Sequence, residues 1–292
     1  VTGLAVLPLI FYAQYRSRRY MLSRTRWRGL RFGLDAAALG YVWRALLYFA
    51  LSLVTFGLLI PLATFRLEKY MTDRMWYGDA NFEQQGQWWG LYPAMKHLLI
   101  ALAVLVLGGA VGIFGSARGL GTVIIIAGSI WFLCGLVYYQ VESFKYLTAH
   151  KLLDGTVRFT SNASSHQVIG ICVLGIILIA ISSIVLSVVL WLVFGIVLAS
   201  GGSVLNGGGA GIGIFAGAGV AVALVAGLGY LASLVLIGAL VTVFISAPIL
   251  GHYVDTLRVE NAQPLEQIHQ RAGDRMADAD GFADALDIGG AF

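Results

Sequence analysis

Seven arginines, Arg16, Arg18, Arg19, Arg24, Arg26, Arg28 and Arg31, fall between Gln14 and Asp35 with Asp35 as the only acid. A guanidinium fork matches a phosphate bidentately, so this run reads first as a binder of phosphate-bearing partners. Apolar stretches on either side favour anionic lipid head groups over nucleic acid. Each basic residue near a charged leaflet contributes about 1 kcal/mol. The plainer alternative is an orientation signal for the neighbouring spans. No nucleic-acid partner is expected.

The remaining reactive side chains are sparse. His97, His150, His166, His252 and His269 are scattered without metal-ligand spacing, which makes zinc improbable. Cys134 and Cys172 sit inside apolar runs and read as small core residues. No local Ser-His-Asp or Cys-His signature is present, although triads can be dispersed. No catalytic residue, cofactor or metal is expected. Hydroxyls at Ser182, Ser183, Ser187, Tyr230, Ser233 and Thr242 lie in apolar segments and are the side chains available to line a solute path. Small residues recur every fourth position through Gly209, Gly213 and Gly217, and again through Gly219, Ala223 and Gly227. On helices these rows permit close approach, either within the protein's own bundle or to another subunit. The glycines after Asn206 do not read as a phosphate cradle, because no Lys-Ser/Thr follows and no strand precedes them.

The elements that must position these residues are membrane spans. Of 292 residues, 59% are hydrophobic and only 12% charged, with mean hydropathy +0.82. Soluble domains carry roughly 25% charge. Several apolar runs reach the ~20 residues that a helix needs to cross hydrocarbon. They are solidly apolar rather than alternating, so they read as helices and not barrel strands. The expected class is an α-helical polytopic membrane protein with a membrane domain over 1–254 and a polar, acidic tail over 255–292. Spans are expected near 1–13 (partial), 39–65, 93–114, 121–141, 167–199 and 220–250. Val1–Ala13 is too short to cross and reads as the end of a span whose start is missing.

One phrase occurs three times beside these spans. Arg19-Tyr20-Met21 precedes Phe32, Lys69-Tyr70-Met71 precedes Phe82, and Lys145-Tyr146-Leu147 precedes Phe159, with gaps of 13, 13 and 14 and a central Gly29, Gly78 or Gly155. This indicates duplication of one loop-plus-span unit. Asp154-Gly155 is a strong hairpin signal, and a short cytoplasmic β-hairpin is expected in each loop. Trp88, Trp89 and Tyr92 suit an interfacial aromatic belt.

Lys and Arg concentrate in the three repeat loops and the tail, whereas the turn at 115–119 holds only Arg118 and the Gly-rich turn holds none. The positive-inside rule therefore places the repeat loops and the tail in the cytoplasm. The conflict is 39–65, an apolar segment with a basic loop at each end. Either it dips in and returns near Thr55-Phe56-Gly57, or the rule fails there. The tail carries eight acids and three arginines, which opposes the first loop. It either docks on the basic loops or stays solvated and disordered. Spans almost empty of charge count against a coupled transporter.

The run from Arg19 through Thr25-Arg26-Trp27-Arg28-Gly29 to Phe32 resembles the YjgN-like family of bacterial inner-membrane proteins, a domain of unknown function. Thr55-Phe56-Gly57-Leu58-Leu59-Ile60-Pro61 resembles a recurring Thr-Leu-Gly-Leu…Pro segment of that family, and Asp280-Gly281-Phe282-Ala283-Asp284-Ala285-Leu286-Asp287 resembles its usual ending. The resemblance covers almost the whole chain. It implies a further unit before Val1, and does not account for the Gly-rich stretch at 200–219. It supplies no catalytic or binding residue. The expected role is non-enzymatic: an accessory or scaffolding subunit bound to the lipid bilayer and to other membrane protein subunits. The alternative is a channel or transporter for an ion or small solute, with an enzyme acting on lipid a distant third.

Overall fold

A computed structural model describes residues 2–115, 118–205 and 227–271. The chain is mostly helical, and four helices are long and apolar enough to cross a membrane. It divides into two compact units, 1–163 with 256–292, and 164–255.

The first unit alternates helices with strand pairs. Helix α1 is Thr2–Arg24, followed by β1 Arg26–Trp27 and β2 Leu30–Leu34. Helices α2 Ala38–Val54 and α3 Ile60–Thr72 lead to β3 Met75–Tyr77 and β4 Ala80–Gln84. Helices α4 Tyr92–Phe114 and α5 Arg118–Ala149 lead to β5 Lys151–Leu153 and β6 Val157–Ser161. The helices run further than the apolar pattern alone marks. Arginine is a good helix former, so α1 continues through the first half of the basic loop. Helix α5 continues past Val141, with Glu142 and Lys145 paired at 3.1 Å on its surface.

The strands join into one sheet in the order β1 to β7, every neighbour antiparallel. The seventh strand, β7 Leu257–Glu260, comes from the far end of the chain and pairs with β6 through Arg158↔Glu260 and Ser161↔Leu257. Residues at the turns take the left-handed conformation that two- and three-residue strand connections demand: Arg28 and Gly29 at φ 49° and 82°, Asp154 and Gly155 at 51° and 67°. Phe32, Phe82 and Phe159, one from each basic loop, form a row on one face of this sheet. Phe32 lies 6.4 Å from Phe82, and Phe82 lies 6.0 Å from Phe159, with Tyr77 packed on Phe32 at 4.6 Å. This row is part of the main apolar cluster, which also takes in Leu153, Val157 and Leu265.

The C-terminal segment is therefore built into the sheet as far as Arg271. Leu265 is buried and Ile268 packs beside it. Asp79 and His269 exchange two hydrogen bonds at 2.9 Å, and the Arg31 amide donates to Gln270 Oε1 at 3.1 Å. Backbone pairing and apolar burial hold this part of the tail. The acids from Asp274 onward lie outside the described residues.

Residues 39–65 form two helices folded back on each other. The Thr55 hydroxyl donates to Leu51 O at 2.8 Å and accepts from the Leu59 amide at 3.3 Å, while Phe56 and Gly57 take φ of 50° and 86°. That left-handed pair reverses the chain, as a helix C-terminus commonly does. The strands on either side, β2 and β3, are hydrogen-bonded in the register Phe32↔Tyr77 and Leu34↔Met75. The α2–α3 pair thus returns to the sheet it left. Three tyrosines lock its base: Tyr15 donates to Asp35 O at 2.8 Å, Tyr70 to Ala37 O at 3.1 Å, and Tyr41 to Gln14 Oε1 at 3.2 Å. Arg44, exposed one turn or so into α2, sits 4.6 Å from the Tyr70 ring and donates to Gly40 O at 2.9 Å.

Helices α4 and α5 pack through a glycine stripe. Gly121, Gly128 and Gly135 are buried at seven-residue spacing on α5. A Cβ at Gly121 would lie 2.6 Å from Gly112 N, and one at Gly135 3.3 Å from the His97 carbonyl carbon. Close backbone approach of this kind is how helices associate where burial of apolar surface supplies no net drive.

The second unit contains α6 Ser165–Leu205 and α7 Gly227–Thr256. They meet where a Cβ at Gly175 would lie 2.5 Å from Ile245 Cγ1, opposite a π-helical turn at Thr242–Ser246 in α7.

Because β1, β4 and β6 belong to one sheet, their exposed positions share one side of any membrane. Single cysteines at Arg26, Glu83 and Arg158 should all react with an impermeant maleimide from the same side. Opposite-side labelling of any two would contradict the fold.

Candidate functional site

The polar residues that the fold brings together come from three separate elements of the first unit. Arg18 on α1 grips Glu68 on α3, with its two guanidinium nitrogens 2.8 and 2.9 Å from the two carboxylate oxygens. Lys151, the first residue of β5, donates to Glu68 Oε1 at 3.0 Å, and Thr72 adds a 3.3 Å hydrogen bond. Burial pushes the Glu68 carboxyl up, but Lys151 and then Arg18 outweigh it and hold the pKa at about 2. Its ordinary value is 4.5. The group carries one negative charge against two positive ones.

These three residues form one end of a cleft of ≈ 650 Å³. Along α5 its lining runs from Leu136 through Tyr139, Gln140 and Ser143 to Thr148, and α3 contributes Ile60 and Thr64 beside Glu68. Tyr139 donates to Thr64 Oγ1 at 2.9 Å, bridging α5 and α3. The Ser143 hydroxyl, 4% exposed, lies beside the Tyr139 hydroxyl, but their contact falls short of good hydrogen-bond geometry. A second cleft of ≈ 580 Å³ adjoins the first and shares Ile60, Leu98 and Leu136 with it. Its walls are apolar, with Phe11, Phe49, Phe56 and Phe132 among them.

The seven arginines do not form one patch. Arg18 turns inward to Glu68, and Arg31 is buried in β2. Arg16 donates to the Tyr12 hydroxyl at 3.1 Å, Arg24 lies 5.6 Å from the Tyr20 ring, and Arg28 lies 4.9 Å from Trp27. Arg24, Arg26 and Arg28 are exposed and Arg19 is half-buried. Gly209, Gly213, Gly217, Gly219 and Ala223 lie outside the described residues. Gly227 opens α7, and a Cβ there would meet open space. The hydroxyls of Ser182, Ser187, Ser233 and Thr242 donate to carbonyls three or four residues back on their own helices, at 2.7 to 2.9 Å. Among the described residues, no group of His, Cys, Asp and Glu could hold a metal ion.

Glu68, Lys151 and Ser143 were not singled out by sequence. One signal was available: Glu68 is the only acid between Asp35 and Asp73. Its partners lie 50 and 83 positions away, so pairing them required the fold.

A carboxyl whose folded pKa is depressed stabilises the fold above its unfolded value and loses that contribution as pH falls through the folded one. Glu68 therefore contributes roughly 3 kcal/mol near neutral pH. That contribution fades between pH 4.5 and about 2. Glu68→Gln should lower thermal stability at pH 7 and flatten the acid limb of the profile. An unchanged acid limb in the variant would refute this assignment.

The model of a family described as "Bacterial protein of unknown function (DUF898)" matches residues 1–285. No curated protein and no solved structure matches the chain. With nearly its whole length covered by that family model, the chain belongs to DUF898, the YjgN-like bacterial family of unknown function.

Proposed function

We propose that this chain is a multi-pass inner-membrane protein acting as a non-enzymatic accessory or scaffolding subunit of a membrane complex. The observation that carries this reading is the second unit. Few residues in the most apolar windows of α6 and α7 are buried, 11% and 0%, so both helices present apolar side chains to lipid and to other helices. The hydroxyls of Ser182, Ser187, Ser233 and Thr242 are bonded back to their own backbones, which leaves those four poorly placed to line a polar path and favours the subunit reading over a channel.

Within this reading, the three basic loops are copies of one loop-plus-span unit. Their phenylalanines meet in one row because each copy delivers the same residue to the same face of the sheet. The sheet and the C-terminal segment lie on the cytoplasmic side, as the Lys and Arg distribution favours. The α2–α3 pair is a re-entrant element that enters from that side and returns to it.

Photo-crosslinking amino acids at Trp191 and Val235, both 75% exposed, test the proposal in cells. The expected result is a discrete protein adduct recovered at constant stoichiometry. Adducts to lipid alone, together with solute flux by the purified protein in liposomes, would overturn it in favour of a channel.

A further inference from the structure

We propose that the joined clefts of the first unit bind one anionic lipid, with its acyl chain in the apolar arm and its head group at Arg18, Lys151 and Ser143. This goes beyond a subunit role and does not depend on it. The polar arm contains three charged residues, Arg18, Glu68 and Lys151, which sum to one positive charge because Glu68 is held ionised. An anionic group is therefore favoured there over a neutral or cationic one. Glu68 uses two guanidinium donors of Arg18 and one ammonium proton of Lys151. An ammonium has three such protons, so Lys151 keeps donor capacity while paired.

Ser143 supplies the second observation. Its nearby partner, the Tyr139 hydroxyl, already donates to Thr64, so the buried Ser143 hydroxyl is left to gain a bound acceptor. It lines the arm between the ionic end and the junction. The third is the shape. Ile60, Leu98 and Leu136 line both clefts, so polar and apolar arms meet at one wall. Each arm falls in the range of roughly 300–1,000 Å³ typical of ligand sites. The apolar arm has no ionisable side chain and, at its far end, reaches the α2–α3 turn through Phe56 and Gly57. A single amphiphile with a negative head is the chemistry that satisfies both arms together. A membrane phospholipid and a free fatty acid share that chemistry.

Native mass spectrometry of the full chain in detergent, with phosphatidylglycerol, phosphatidylcholine or palmitate added at matched concentration, tests the assignment. Phosphatidylglycerol adducts should survive activation that strips phosphatidylcholine. Retention of palmitate but not phosphatidylglycerol would support the site and assign the free acid as its ligand. Lys151→Ala should reduce the preference for the anionic species about tenfold, the effect of losing one charge-assisted hydrogen bond. Leu136→Trp, remote from the ion pairs, fills the junction and should abolish retention while the unfolding temperature stays near that of the parent. Equal retention of charged and neutral lipids, or full retention in Leu136→Trp, would overturn the proposal. So would an equal loss of preference in Arg26→Ala/Arg28→Ala, which would place the anion on the exposed basic loop.

Discussion

A polypeptide that runs repeatedly between apolar helices has to satisfy the backbone of every connection. In the first unit the connections that follow α1, α3 and α5 meet that requirement by strand pairing. Short extended segments from four distant parts of the chain each satisfy one edge of the next, and the result is a single antiparallel sheet. Everything else in this unit hangs on that pairing. It sets where α1, α3 and α5 end, because each runs directly into the first strand of a pair. It forces α2 and α3 to fold back, because β2 and β3 must lie side by side. It also draws the C-terminal segment in, since β6 would otherwise present an open edge that β7 now covers.

Side-chain contacts then tie the helices to this frame. Glu68 links α1, α3 and β5 through two cations, and its environment is costly unless both are in place. Lys69, next in the chain, donates to Gln84 O at 2.6 Å and pairs with Asp73, whose other oxygen accepts from the Gln84 amide at 2.8 Å. Gln84 is fully buried and reaches α5 through Leu147 O at 3.0 Å. Neighbouring residues of α3 thus bond in two directions, one toward the cleft and one toward the strand connection. The cleft lies between two such ties, since α3 is bridged to α5 at Tyr139–Thr64 and to β5 at Glu68–Lys151.

The three occurrences of the basic-Tyr phrase show how one sequence pattern serves different contacts. Tyr70 is buried and clamped between Arg44 and Arg74. Tyr146 both donates to and accepts from the Gln87 backbone at 2.9 and 3.1 Å. Tyr20 is 60% exposed under Arg24. The phenylalanines, in contrast, all serve the same row. A strand has only two faces, and each phenylalanine is the third residue of its strand, β2, β4 or β6, so it keeps the same side each time. A helix residue has no such constraint once its neighbours differ.

What sequence alone determined was set by local composition and spacing. Apolar length marked the helices, because crossing hydrocarbon needs some twenty such residues in a row. Asp154-Gly155 and Gly78 marked chain reversals, because few residues tolerate a positive φ. Thr55-Phe56-Gly57 marked the reversal inside 39–65 for the same reason. Family membership was legible because it rests on residue order. Tertiary structure decided which strands are neighbours, that α1 and α5 extend into the basic segments, and that Leu257–Glu260 completes the sheet. It decided too that two of the seven arginines are taken in, Arg18 against Glu68 and Arg31 within β2. Arg18 differs from Arg16 and Arg19 only in the face of α1 it occupies, and what that face meets is Glu68, fifty positions away. Strand order and charge pairing are contacts between residues far apart in the chain. Local pattern carries no record of them, and they exist only once the chain has closed on itself.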